Sequence, residues 1–191
     1  MGAENIMVIA LKHFAQNGYD GTSLSAIAAD VGIKKPSIYA HFKSKEALFL
    51  SILNKTADRE YQWMSHYLSK EPYMNFRDRL YQLLQDLMDR YKHDDHLQFW
   101  LRVVFFPPAA LYEQVMQRLY NYLDQCEQLI TKIFEREGLI NVAPGEASIA
   151  FMGILDSLFV ELLYGGPDRA ERRVQASWKI FWRGIKGGDG S

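Results

Sequence analysis

An all-α fold of about nine helices is predicted for this 191-residue chain by three observations. Apolar residues recur at three- and four-residue spacing through most of its length. Capping residues, glycines and prolines break that pattern at helical lengths. No segment carries a strand signal.

Ile6, Ile9, Ala10, His13 and Phe14 mark one face of the first helix, which Gly18 ends at its C-cap. Thr22 and Ser23 are N-cap types, and Leu24, Ile27, Ala28 and Val31 follow at helical spacing in a short second helix. Gly32 accepts the left-handed conformation that stops a helix, and Ile33 plugs the corner. Pro36 fits only a first helical turn, so a third helix begins there. It continues through Phe42, with Ile38 and Phe42 four apart on one face. The pair packs through Ile27, Val31, Ile33, Ile38 and Phe42, a helix, a glycine turn and a helix, leaving Lys35, Ser37, Tyr39 and His41 on the opposite, polar face.

Ser44 caps a fourth helix with Glu46 in its first turn, although Ala47 at the third position leaves a full capping box incomplete. Nothing breaks this rod before about Leu68. It carries Leu48, Phe49, Ile52 and Leu53 at one end and Trp63, Met64 and Tyr67 at the other. Pro72 begins a connection. Phe76, Leu80, Leu83, Leu84, Leu87, Met88 and Tyr91 trace the fifth helix, interrupted over 92–95. A sixth, very apolar helix from Leu97 to Phe106 is closed by Pro107-Pro108. The seventh runs from about Ala109 to Gly138. Pro144 opens an eighth, to Tyr164, that is apolar over most of its circumference. Gly165-Gly166-Pro167 breaks it, and a ninth from Ala170 to about Ile185 carries Val174, Trp178, Phe181 and Trp182.

A helix-turn-helix docks its second helix in the major groove, its N-terminal side chains reaching base edges and its flanks gripping phosphates. The local charge suits that use: from Val31 to Glu46 the charged residues are Lys34, Lys35, Lys43 and Lys45 against Glu46 alone, while the chain is formally at -1. Thr22, Ser23, Lys34, Lys35, Pro36, Ser37, Tyr39, His41, Lys43 and Lys45 are therefore expected at DNA. Tyr39, His41 and Lys45 go to phosphates and Lys35 and Ser37 to the groove.

Gly18, Thr22, Ile27-Ala28, Val31-Gly32-Ile33, Lys35, Ile38-Tyr39, His41-Phe42 and Ser44-Lys45-Glu46 together resemble the TetR/AcrR family of bacterial transcriptional regulators. The resemblance covers roughly the first quarter of the chain. Lys34 stands where a small capping residue is usual, and Pro36 where glycine is usual. The resemblance implies a homodimeric, helical DNA-binding protein with a ligand-binding C-terminal domain. The domains expected are 1–46 for DNA, 47–186 for ligand binding and dimerisation, and a disordered tail over 187–191.

Trp63, Tyr67, Tyr91, Phe99, Trp100, Phe105, Tyr112, Met116, Tyr120 and Met152 fall on the helices that enclose the ligand cavity in proteins of that family. With 14% aromatic residues in the chain, they imply a small lipophilic effector. Leu155, Leu158, Phe159, Leu162, Trp178, Phe181 and Trp182 on the last two helices are expected in a self-complementary four-helix dimer interface. Asp156 and Glu161 lie inside the apolar eighth helix, where a buried acid needs a partner. A hydrogen bond at the interface or a cationic ligand would supply it.

Cys126 is the only cysteine, so no intrachain disulfide can form and a cytoplasmic setting is expected. No export signal is apparent, and no stretch is expected to reach the roughly twenty apolar residues of a membrane span. His93-Asp94-Asp95-His96 reads as a solvated helix junction and not as a metal site. No phosphate-cradling glycine loop appears and Cys126 has no evident histidine partner, so neither catalysis nor a cofactor is expected.

Overall fold

A computed structural model describes residues 2–69, 75–138 and 141–186; the connection at Pro72 and the tail at 187–191 lie outside them. The described residues form nine α-helices and no strand: α1 Ala3–Gly21, α2 Leu24–Val31, α3 Lys35–Tyr39, α4 Lys45–Ser69, α5 Phe76–His93, α6 Asp95–Phe105, α7 Tyr112–Glu137, α8 Pro144–Tyr164 and α9 Pro167–Lys186. A 3-10 turn, Ala109–Leu111, precedes α7.

Several boundaries move from their sequence positions, and three of them have a clear local cause. Gly18 does break α1, at φ 71° and ψ −179°, but the chain makes a further turn as far as Gly21. The third helix ends at Tyr39 and not at Phe42. The His41 and Phe42 N–H groups both donate to the Ile38 carbonyl at 2.9 Å, which turns the chain out of the helix. The ninth helix starts at Pro167, three residues before Ala170, because proline at a first helical position gives up no hydrogen bond.

One expectation is overturned. Over an 18-residue window α8 reaches a mean hydropathy of 1.6, so by length and composition it could cross a membrane. Its inner side is nonetheless core, with Phe151, Ile154, Leu155 and Leu158 buried.

The helices form two compact units, Met1–Glu60 with Asp94–Tyr122, and Tyr61–His93 with Leu123–Ser191. In the first, an aromatic cluster lies at the centre. The Phe49 ring meets Phe14 at 5.1 Å, Tyr19 at 5.0 Å and Phe99 at 5.6 Å, mostly edge to face. The Arg102 guanidinium of α6 lies against Gly18, and its Nη1 donates to the Ala15 carbonyl at 3.5 Å, near the end of the first run of α1.

In the second unit α8 packs on α9 and both meet α5. Phe134 lies 5.3 Å from Phe76 and 6.3 Å from Phe181, and Phe151 lies 5.8 Å from Phe181. Buried Arg79 donates to Glu137 at 3.0 Å. Glu161, 3% exposed, accepts from Arg169 Nε at 2.9 Å and pairs with Arg173 Nη2 at 2.6 Å. The partner of this acid therefore comes from its own chain, supplied by the first two turns of α9, and no interface or cationic ligand is needed. Gly165 makes room for it: a Cβ there would stand 1.8 Å from Glu161 Oε2. Asp156 lies on the exposed side of α8, where desolvation raises its carboxyl above the usual value.

The hydrogen bond from Arg169, with the charges of Arg169 and Arg173, holds the Glu161 carboxyl below its ordinary value of 4.5. A carboxylate depressed in this way stabilises the fold above its unfolded pKa, and that contribution is lost as pH falls through the folded value. The urea midpoint is expected to drop more steeply below pH 4.5 in the natural chain than in Glu161→Gln. Parallel pH profiles would remove the assignment.

Candidate nucleic-acid interface

The helix-turn-helix is built by short-range bonds. Ser23 accepts from the Ala26 N–H at 3.1 Å and caps α2. At the other end Gly32 sits in the left-handed region, φ 77° and ψ 31°, and the Ile33 N–H donates back to the Ala28 carbonyl at 2.9 Å. The chain thereby turns within three residues into α3. Lys34 occupies the α3 N-cap but makes no side-chain cap bond, and Pro36 stands in the first turn where no donor is required.

Ile27, Val31, Ile38 and Phe42 are buried and Ile33 partly so, while Lys34, Lys35, Pro36, Ser37, Tyr39, His41 and Lys43 are all exposed. The Tyr39 ring is 48% exposed although it carries a large apolar surface. With Lys35, Ser37 and, just past the helix, His41 also exposed, α3 presents cationic and donor-rich side chains on more than one side, Ile38 being its buried residue. His13 Nε2 and Asp30 Oδ2, 2.7 Å apart, tie α1 to α2.

Two of the expected contacts sit differently. Thr22 is 3% exposed, and its hydroxyl is shared between the Gly18 carbonyl at 2.7 Å and the His13 carbonyl at 3.0 Å. It fastens the end of α1, so its side chain is not on the surface. Lys45 is half-buried, with its ammonium 4.3 Å above the Tyr19 ring. Partial burial pulls it below its ordinary value, against the pull of Asp20. Ser44 caps α4 beside it, accepting from the Ala47 N–H at 3.0 Å. The sequence reading missed Tyr19 and Arg102, the residues that steady Lys45 and Gly18. The available signal was an aromatic next to a helix-ending glycine and a lone cation in an apolar helix.

The residues expected at a ligand divide between the units. Phe99, Trp100, Phe105, Tyr112, Met116 and Tyr120 belong to the first, where Phe99 and Trp100 are buried and Tyr112 and Tyr120 exposed. Trp63, Tyr67, Tyr91 and Met152 belong to the second, all partly exposed. There Arg90 lies 4.1 Å over the Trp63 ring, and the Tyr67 hydroxyl donates to Asp86 at 2.7 Å. Burial and that bond push the Tyr67 phenol well above its ordinary value.

Of the residues expected at a dimer interface, Leu155, Leu158, Trp178 and Phe181 are buried within the chain, whereas Phe159, Leu162 and Trp182 are partly exposed. The apolar side chains that α8 and α9 leave in the open are Ile149, Tyr164 and, at 74%, Ile180. Among the described residues no group of three or more metal-ligating side chains occurs. Asp94 instead caps α6, accepting from the His96 N–H at 2.9 Å.

The family profile described as "Bacterial regulatory proteins, tetR family" matches residues 6–52, the stretch holding this motif. The helix-turn-helix segment is thus similar to the DNA-binding segment of TetR-family regulators. The chain is 33% identical over 116 residues to the uncharacterized HTH-type transcriptional regulator YuxN of Bacillus subtilis (strain 168). That match covers 60% of the chain and spans 39% of the relative's length. The helical fold continues through the C-terminal part. The chain superposes with a TM-score of 0.69 on FadR from Bacillus subtilis in complex with stearoyl-CoA, at 17% identity over 96% of this chain and 100% of that one. With AibR in complex with isovaleryl coenzyme A and operator DNA the TM-score is 0.65, at 19% identity over 96% and 98% of the two chains. At these identities the likeness is one of fold.

Proposed function

We propose that this chain is a cytoplasmic transcriptional repressor that binds a palindromic double-stranded operator as a homodimer and is released by a small lipophilic effector. Residues 1–46 serve as the DNA-binding domain and 47–186 as the ligand-binding and dimerisation domain. The observation that carries the proposal is the exposure of Lys35, Ser37 and Tyr39 on α3, and of His41 just after it, while Ile38 holds the helix in the core. Lys35 and Ser37 read base edges, and Tyr39, His41 and Lys45 hold phosphates. Lys34 and Lys43 add diffuse positive charge at the rim.

The lipophilic part of the effector is the acyl chain of a coenzyme A thioester. Support comes from the two fold neighbours, one with stearoyl-CoA and one with isovaleryl coenzyme A. Within the second unit, Trp63, Tyr67, Tyr91 and Met152 would meet its acyl chain. Ile149, Tyr164 and Ile180, with partly exposed Phe159 and Leu162, form the dimer face. Buried Leu155, Leu158, Trp178 and Phe181 support it from within. Effector binding biases α4, which contributes to both units, and a coupling of about 1–3 kcal/mol between the sites is enough for a switch.

The test begins with selection of a duplex from a random pool and its titration by fluorescence anisotropy. Lys35→Ala is expected to weaken the selected site by about 1–3 kcal/mol, some 5- to 150-fold, and to relax its sequence preference. Tyr39→Ala should weaken all duplexes alike. Unchanged affinity in folded variants removes these assignments. Stearoyl-CoA and isovaleryl-CoA are then added to the bound complex, and failure of both to release DNA removes the effector class.

A further inference from the structure

A groove of about 430 Å³ runs between α5 and α9, inside the second unit. Its walls carry three cations, Arg77 from the first turn of α5 and Lys179 and Arg183 from α9, against one carboxylate, Asp78. Asp78 is engaged locally: its Oδ2 accepts from Asn75 Nδ2 at 2.9 Å, and its N–H donates to Asn75 Oδ1 at 3.0 Å, which caps α5. Among the described residues, no carboxylate pairs with Arg77, Lys179 or Arg183, whereas Arg79, Arg169 and Arg173 are all paired.

The placement of these cations is not what helix stability alone selects. Arg183 near the end of α9 suits the helix dipole, but Arg77 stands in the first turn of α5, where the dipole disfavours a cation. Lys179 and Arg183 are four apart on one helix face, a spacing at which like charges repel. Three cations thus line one groove with Asp78 as its one carboxylate, and among the described residues none of the three is paired.

Aromatic rings line the same groove. Tyr81 lies 5.6 Å from Trp178, and Trp178 stacks on Trp182 at 5.5 Å with 26° between the planes. Trp182 is the partly exposed member of the stack, so indole surface is presented to the groove. It points away from exposed Ile180: two residues along a helix turn the side chain by about 200°. Stacking favours a flat ring, and the uncompensated cations favour negative charge.

We propose that this groove binds a planar aromatic anion, its ring against Trp182 and Tyr81 and its charged group between Arg77 and Arg183. The chemistry is shared by nucleotides and by aryl phosphates, and the groove is separate from the residues assigned above to operator and acyl chain.

The test uses the full chain and reads tryptophan emission on titration with 1-naphthyl phosphate, with ADP in a parallel arm. Saturable quenching is expected, and the double variant Arg77→Ala/Arg183→Ala, whose side chains are exposed, should weaken it at least about tenfold. That variant should melt at the same temperature and keep its operator affinity. ADP binding as tightly as naphthyl phosphate assigns the groove to nucleotides, and weaker ADP binding assigns it to aryl anions; either supports the proposal. It is overturned by the absence of quenching at millimolar ligand or by unchanged binding in the double variant. Equal binding of neutral 1-naphthalenemethanol or of inorganic phosphate overturns it as well.

Discussion

Phe49→Ala is expected to destabilise the N-terminal unit by about 3–5 kcal/mol, the range for deleting a large aromatic side chain from a packed core. Phe49 is 0% exposed, and its ring is the hub on which Phe14, Tyr19 and Phe99 converge at 5.0–5.6 Å. Truncation leaves a cavity that the three other rings, two held by α1 and one by α6, cannot collapse to fill. The cost also reaches the interface: the ring of Tyr19, which supports Lys45, packs edge-on against Phe49. Urea unfolding measures the loss, and Phe49→Leu, which keeps most of the volume, should lose less than half as much. A loss below about 1 kcal/mol for the alanine variant would show that the ring is not the centre of this core.

Gly18→Ala is expected to cost about 1–3 kcal/mol, because φ 71° with ψ −179° is a region that essentially only glycine occupies. A Cβ there would also stand 3.3 Å from Arg102 Nε, crowding the guanidinium whose Nη1 meets the end of the first helical run. Gly21→Ala is the contrasting case. Its φ is not positive, and the added carbon would meet Asn17 Cβ at an ordinary 3.4 Å. It should be neutral or stabilising by up to about 1 kcal/mol through the unfolded chain. Thermal melts of the two variants separate backbone strain from loss of glycine as such. Equal melting temperatures would refute the strain at Gly18.

The helix-turn-helix was legible because its determinants are local. Ser23 caps, Gly32 turns and Ile38 anchors within a few residues of the groups they serve, so residue type and spacing carry the information. For the same reason the polar face of α3 could be listed in advance, with Lys35, Ser37, Tyr39 and His41 all exposed. Thr22 was misplaced because a cap-type hydroxyl looks the same in sequence whether it faces solvent or, as here, two carbonyls of the preceding helix.

The sequence by itself determined the helix count, the glycine turn between α2 and α3 and the polar strip beside it, since each follows from periodicity and capping within one turn of chain. Only the tertiary structure decided which apolar residues of α8 and α9 are core and which are uncovered. An apolar side chain has no directional partner that sequence could name, and its burial depends on the helices that reach it. The same holds for Glu161, whose fate rested on two arginines arriving from the next helix, and for Arg77, Lys179 and Arg183. Those three cations are more than 100 residues apart in the chain at their widest and share one groove only because α5 and α9 lie side by side.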